Sequence, residues 1–383
     1  MCFMPWLNNL APPQRTTMNN TELLQFAAQF PLQYLQGERQ CRLAYRHFMH
    51  HPVARKLVII VNGRAENLLK WTEIAQDFYH QGYDVLLFDH RGQGYSQRLL
   101  KDGEKGHLDE FRFYPQDMAK IIENLTALYP YPQQYLIAHS LGALISAYYL
   151  ANFDHRIERA VFSAPFFGVP LKKPTRDELL LNLMMLWGQG ERYVFGKSAY
   201  KPVDTAQNEL SHSVARMQWM NDVNRDNPSI RLGGPTFRWV HLCLAAIKRL
   251  PKILPRIETP VLVLEAEQEK IVNNKTLKKL TALLPHGERR KIHGAKHEIL
   301  FESDEIRTPV LQRIYAFLIQ TSTHKQHAEP AKARITQSVN AVNGTQIRCH
   351  CFMSVATDNF QLRRGLFQTR IGIPHNAAFA HFR

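Results

Sequence analysis

Apolar runs recur at regular intervals along most of this chain. KLVIIVN (56–62), DVLLFD (84–89), QYLIAH (134–139), RAVFSA (159–164) and PVLVLEA (260–266) are short and rich in β-branched residues or leucine. Such runs predict strands buried on both faces, as in a parallel sheet. ERRKIH is the next plausible strand. Between them the period changes. Met118, Ile121, Ile122, Leu125 and Leu128 fall at helical spacing within 113–129, as do Ile306, Val310, Leu311, Ile314, Phe317 and Leu318 within 305–320. Alternating strand and helix predicts an α/β sandwich with right-handed crossovers, its site at the carboxyl ends of the strands.

One interval breaks the alternation. Nearly a hundred residues separate RAVFSAP from PVLVLEA without a clear buried strand, and RDELLLNLMMLWGQG (176–190) is apolar almost all round. That is too much chain for a loop. It predicts a helical cap inserted at 166–255, dividing a core of 21–165 and 256–320; a buried helix pair is the plainer reading. The first 20 residues read as a flexible N-terminus lacking the basic start and long apolar stretch of a signal peptide. No apolar run approaches the length needed to span a bilayer. From 321 to 383 the periodicity fades into a polar, basic tail expected to be disordered.

Charge adds one constraint. The chain of 383 residues carries a formal net charge of +15, and the segment from Thr321 onward contributes +6 of it. Positive charge spread over the remaining body suits an anionic lipid surface or a nucleic acid. No recognised nucleic-acid motif is present, so no specific nucleic-acid partner is expected. Five scattered cysteines form no paired framework and fit a reducing compartment. CHC at 349–351 has no second ligand pair, so no metal is expected, and no organic cofactor.

The chemistry starts at LIAHSLGALIS (136–146). Ser140 follows a predicted strand and opens a predicted helix, the setting of a nucleophile elbow. The elbow crowds the residues two before and two after the serine. Gly142 suits the second site, and Ala138 adds one methyl at the first. A serine N-cap is the competing reading. A nucleophilic serine needs a base, and the base an orienting acid, in chain order serine, acid, histidine. LEAEQEKIVNN supplies acids at a strand end, and HGAKHEILFE presents His297 in a loop before the last helix. Glu265, Glu267 and Glu269 compete for the acid, and spacing does not separate them. His293 competes with His297 from a strand end. His139 and His90 are further candidates; on an elbow His139 is expected to point away from the chemistry. VNGRAENLLKW (61–71) would supply the second oxyanion donor, with Gly63 allowing close approach and the Arg64 N–H aimed at the oxyanion.

VNGRAENLLKW, FDHRGQGYS, LIAHSLGALIS, SAPFFG, RLGGPTFRWV and GAKHEILFE together resemble the bacterial lysophospholipases of the L-two type, members of the α/β-hydrolase superfamily related to monoacylglycerol lipases. The likeness runs through most of residues 20–320, in order. It implies an α/β-hydrolase fold: a mostly parallel sheet flanked by helices, with an inserted helical cap. It assigns Ser140 as nucleophile, His297 as general base, and the backbone N–H groups of Arg64 and Leu141 as the oxyanion hole. Relatives carry the acid in a G-x-x-D-x-x-V pattern. Here Ala266, Glu269 and Val272 stand in those places, so the acid is Glu269 in place of aspartate. The implied reaction cleaves the fatty acyl ester of a lysophospholipid to a fatty acid and a glycerophosphodiester. A monoacylglycerol lipase or carboxylesterase, an acyltransferase, and a non-catalytic binding protein are the alternatives. Cytoplasmic localisation with peripheral association to an anionic inner membrane is implied as well. On this reading Leu179, Leu180, Leu181, Met184, Met185 and Trp187 line an acyl tunnel in the cap, and Lys172, Lys173 and Arg176 meet the phosphate.

Overall fold

The computed structural model describes residues 19–170 and 174–320. Among these residues eight strands form one sheet: β1 (Gln33–Gln36), β2 (Arg42–Phe48), β3 (Lys56–Val61), β4 (Asp84–Phe88), β5 (Gln133–His139), β6 (Ile157–Ser163), β7 (Val261–Ala266) and β8 (Gly287–Ile292). Their spatial order is β1-β2-β4-β3-β5-β6-β7-β8. From β4 to β8 every pairing is parallel; β1 and β2 form an antiparallel edge.

Each apolar run became a central strand because both of its faces are covered. Along β3, Leu57, Ile59 and Val61 enter one core, and Val58 and Ile60 the other. The first core lies under α3 (Phe113–Leu128), α4 (Leu141–Asn152) and α8 (Asn274–Thr281), through Met118, Ile121, Leu144 and Leu277. The second lies under α1 (Asn20–Ala28), α2 (Thr72–His80) and α9 (Asp304–Ile319), through Phe26, Ile74, Phe78, Leu311 and Ile314.

β1 and β2 escape the apolar pattern for a physical reason. β2 buries the polar side chains of Arg46 and His47 among its apolar ones. Burial is tolerable only with partners. Arg46 donates to the carbonyls of Ala27 and Phe30, and His47 Nε2 lies 2.8 Å from the Tyr131 hydroxyl. Those partners are 16 to 84 residues away in the chain.

Between β6 and β7 the described residues make α5 (Pro174–Leu186), α6 (Val214–Asp226) and α7 (Phe237–Ile253), and none of them adds a strand to the sheet. These helices are attached differently. α7 belongs to the first core through Trp239, Cys243, Ala246 and Leu250. α6 packs Met217 and Met220 into the second core and is also tied by charge: Arg216 donates to both oxygens of Glu73 on α2, at 2.8 and 2.7 Å, and at 2.6 Å to Asp304. α5 rests on α7, with Leu181 and Met184 against Phe237. Leu179 and Leu186 on this helix, and Trp187 directly after it, are exposed.

Candidate active site

Ser140 sits between β5 and α4 with φ 49° and ψ −113°. A non-glycine residue at positive φ is strained, and the surroundings must hold it. The Ser140 N–H donates to Ser163 O at 3.0 Å, and Ser140 O accepts the N–H of Phe166 at 3.0 Å. Gly142 is required by close approach: a Cβ there would stand 2.1 Å from Val61 O and 2.5 Å from Asn62 O. Ala138 is fully buried opposite Val61, where its one methyl is accommodated in the core.

His297 reaches this serine from the loop between β8 and α9. Its Nε2 lies 3.1 Å from Ser140 Oγ, and its Nδ1 lies 2.8 Å from Glu269 Oε2. The Glu269 side chain is wholly buried. Its other oxygen accepts the N–H groups of Ile271 and Val272 at 2.7 and 3.1 Å. Burial raises its proton affinity, but the bonds and charge from His297 and the two backbone donors outweigh this. Its carboxyl therefore falls below the usual carboxylate range. The rival acids are engaged elsewhere. Glu265 pairs with Arg289, and Glu267 binds His293 Nδ1 at 3.0 Å at the surface. His293 is exposed beside Glu267 and does not line the cavity that Ser140 faces. His90 bonds Asn62 O at 3.0 Å. His139 departs from expectation: its ring lines the same cavity as His297, with centroids 4.9 Å apart. Burial pushes its pKa down to about 4, so it is neutral at pH 7.

The loop after β3 lies against the serine. A Cβ on Gly63 would stand 3.4 Å from Ser140 Cβ and 2.8 Å from Glu66 Oε2, which accounts for the glycine. Both polar backbone atoms of Gly63 are held: its N–H donates to Glu66 Oε2, and its carbonyl accepts Gln93 Nε2 at 2.8 Å. In a planar trans peptide the next N–H points opposite to that carbonyl. The Arg64 N–H is thus turned away from Gln93. Leu141, first residue of α4, has an N–H with no partner inside its own helix, at the positive end of the helix dipole.

These groups face a cavity of about 570 Å³, within the range of small-ligand sites. Phe166, Met220, Leu232 and Trp239 give it apolar walls, and Lys197 and Lys201 add cations. The acyl-tunnel expectation for α5 is corrected here. Leu180 and Trp187 are 40% and 66% exposed, and Met184 is buried against Leu181 and Phe237; none of the three lines the cavity. α5 spends its one covered face on α7, so segment 196–201, α6 and the start of α7 wall the cavity instead. Lys172 and Lys173 lie outside the described residues. Arg176 is exposed, bonded to Asp177 of its own helix, and away from the cavity.

Sequence reasoning assigned no part to Glu66, Lys70, Gln93 or Glu298, all buried beside the site. The available signals were slight: Lys70 is four residues after Glu66, and Glu298 directly follows His297. Among the described residues no group of three or more His, Cys, Asp or Glu side chains is arranged to hold a metal.

The comparisons agree with this architecture. The family model described as serine aminopeptidase, S33, matches residues 52–304. A probable lysophospholipase L2 of Haemophilus influenzae is 63% identical over 298 residues, covering 78% of this chain and 95% of that protein. Lysophospholipase L2 of Escherichia coli K12 is 32% identical over 300 residues, covering 75% and 85%. Among solved structures, a soluble variant of yeast monoglyceride lipase shares the fold with a TM-score of 0.60 at 19% identity, covering 80% of this chain and 98% of that one. An eight-stranded, mostly parallel sheet under helices, a serine elbow, and homology through the whole core lead to one assignment: the chain belongs to the lysophospholipase L2 family of α/β-hydrolase-fold serine hydrolases.

Proposed function

We propose that this protein hydrolyses the fatty acyl ester of lysophospholipids through an acyl-enzyme on Ser140. The observation that carries the reading is the continuous relay from Ser140 Oγ through His297 to Glu269, at 3.1 and 2.8 Å, in a chain 63% identical to a probable lysophospholipase L2. His297 Nε2 takes the hydroxyl proton as Oγ attacks the ester carbonyl. The Arg64 and Leu141 N–H groups receive the developing oxyanion. The C–O bond breaks, His297 returns the proton to the departing glycerophosphodiester alcohol, and the acyl group stays on Ser140. Water, deprotonated by His297, then releases the fatty acid. Glu269 fixes the imidazole tautomer and stabilises its protonated form.

The cavity suits such a substrate chemically. Phe166, Met220, Leu232 and Trp239 offer apolar surface to the acyl chain, and Lys197 and Lys201 offer charge to the phosphodiester. The lipid is reached at a membrane surface. No helix among the described residues is long and apolar enough to cross a bilayer, whereas the end of α5 exposes Leu186, 81% open, beside Trp187, 66% open, on a chain of net charge +15. An apolar patch on a basic protein fits peripheral contact with an anionic membrane, here the inner leaflet facing the cytoplasm.

The test compares hydrolysis of lysophosphatidylethanolamine, lysophosphatidylcholine and monoolein by wild type and Ser140→Ala. Lysophospholipid hydrolysis lost in the variant supports the reading; faster turnover of monoolein overturns it. In parallel, Trp187→Asp is expected to weaken binding to phosphatidylglycerol vesicles while leaving hydrolysis of a soluble p-nitrophenyl ester unchanged.

A further inference from the structure

Part of the cavity wall is a cluster of charges, Glu66, Lys70 and Glu298, that the proposed reaction does not use. Lys70 is 0% exposed. Its ammonium bonds Glu66 Oε1 on one side and stands 2.8 Å from Glu298 Oε1 on the other. Both carboxylates are themselves buried. Glu66 belongs to the loop after β3; its second oxygen accepts the Gly63 N–H and the Trp71 indole N–H. Glu298 belongs to the other loop of the site, immediately after His297, and its N–H donates to Leu210 O at 2.8 Å. Glu298 Oε2 is buried without a hydrogen-bond partner.

We infer that Lys70 is a positioning residue that locks the oxyanion loop to the histidine loop, using Glu66 to hold Gly63 and Glu298 to hold the backbone beside His297. A buried ammonium and two carboxylates are costly to desolvate, and isosteric apolar side chains would serve stability as well or better. Their geometry explains their presence. The oxyanion donor and the base come from loops more than 230 residues apart, and catalysis depends on donors held rigidly where charge develops. Lys70 is the contact joining the two loops' carboxylates. Burial works against its charge, but Glu298 and Glu66 outweigh this and keep the ammonium protonated. Gln93 closes the arrangement from the opposite side, donating at 2.8 Å to Gly63 O and at 3.2 Å to Glu66 O.

The inference rests on the proposed roles of Ser140 and the Arg64 N–H. Its test uses p-nitrophenyl octanoate, so it stands whichever natural lipid is the substrate. Lys70→Met and Lys70→Arg are assayed for kcat, KM and inhibition by an alkyl trifluoromethyl ketone, whose tetrahedral adduct on Ser140 carries an oxyanion. For Lys70→Met we expect kcat to fall about 100-fold, the scale of a lost oxyanion donor, with KM changed less than about threefold and ketone affinity falling in step. Lys70→Arg, which retains donors for both carboxylates, is expected to recover most of kcat. If Lys70→Met is folded by circular dichroism and keeps the wild-type kcat, the inference is overturned. Loss of kcat with unchanged ketone affinity overturns it too. Should Lys70→Met fail to fold, Glu298→Gln takes its place with about a 10-fold loss in kcat expected at constant KM; wild-type kcat there is equally fatal. A wild type that cleaves the nitrophenyl ester but no lysophospholipid refutes the proposed substrate and leaves this test intact.

Discussion

Glu269 Oε2 lies 2.8 Å from His297 Nδ1, while Glu267, two residues earlier, turns outward to bind His293. This difference separates two acids that look equivalent in the sequence. Glu269→Gln is expected to lower kcat about 10⁴-fold, because an amide cannot stabilise the imidazolium and favours the wrong tautomer. Glu267→Gln removes a surface pair and is expected to leave kcat within about twofold of wild type. Steady-state kinetics on one ester substrate checks both, and the reverse ranking would move the acid to Glu267.

The same pair predicts a pH dependence of stability. The Glu269 carboxyl is held below its ordinary range in the folded chain, so the folded state binds that proton more weakly than the unfolded state does. The contribution is complete above the unfolded carboxylate range and fades as pH falls through the lower folded value. Glu269→Gln lacks it. The Tm advantage of wild type over the variant should therefore shrink from about pH 5 downwards. A gap in Tm that is flat or widens with acid would contradict the assignment.

The elbow makes an asymmetric prediction about its two small residues. Gly142→Ala drives a methyl into the carbonyls of Val61 and Asn62, backbone atoms that lead directly into the Gly63–Arg64 loop. It is expected to cost about 2–3 kcal/mol and to reduce kcat by displacing that loop. Ala138→Gly restores the usual elbow residue and is expected to cost about 1 kcal/mol with activity retained. Thermal denaturation and kcat, measured together, distinguish the two.

Arg216 predicts how firmly α6 is held. Its guanidinium is buried, satisfies both oxygens of Glu73, and also donates to Glu302 O and Asp304. Arg216→Met removes the guanidinium that bonds both oxygens of the buried Glu73 carboxylate, while Arg307 stays 3.7 Å from it. A loss of about 3 kcal/mol in unfolding free energy is expected, far above the value of a surface pair. A loss below about 1 kcal/mol would mean the pair is effectively solvated.

How much was legible in the chain follows from the range of the forces involved. Strands buried on both faces announce themselves locally, since consecutive residues must all be apolar; 56–62, 84–89 and 134–139 therefore mark β3, β4 and β5 to within a residue or so. Ser140 and His297, which the structure brings within 3.1 Å of each other, stand out in the sequence because an elbow and a loop histidine have local contexts. The resemblance supplied Glu269, which spacing alone left tied with Glu265 and Glu267. β2 was not legible, because the partners that make Arg46 and His47 tolerable inside come from elsewhere in the chain.

The sequence by itself determined the parallel core, the serine at its strand end, and the family. Tertiary structure decided how Glu267 is turned outward to His293 while Glu269 is buried against His297, which face of α5 is covered, and that His139 lines the cavity. It also decided that Glu66, Lys70 and Glu298 meet in the wall of the cavity that Ser140 faces. The physical reason is the same in each case. Burial of an apolar run is a property of neighbouring residues. The pairing of a buried charge, or the covering of one helix face, depends on a partner brought from a distant part of the chain.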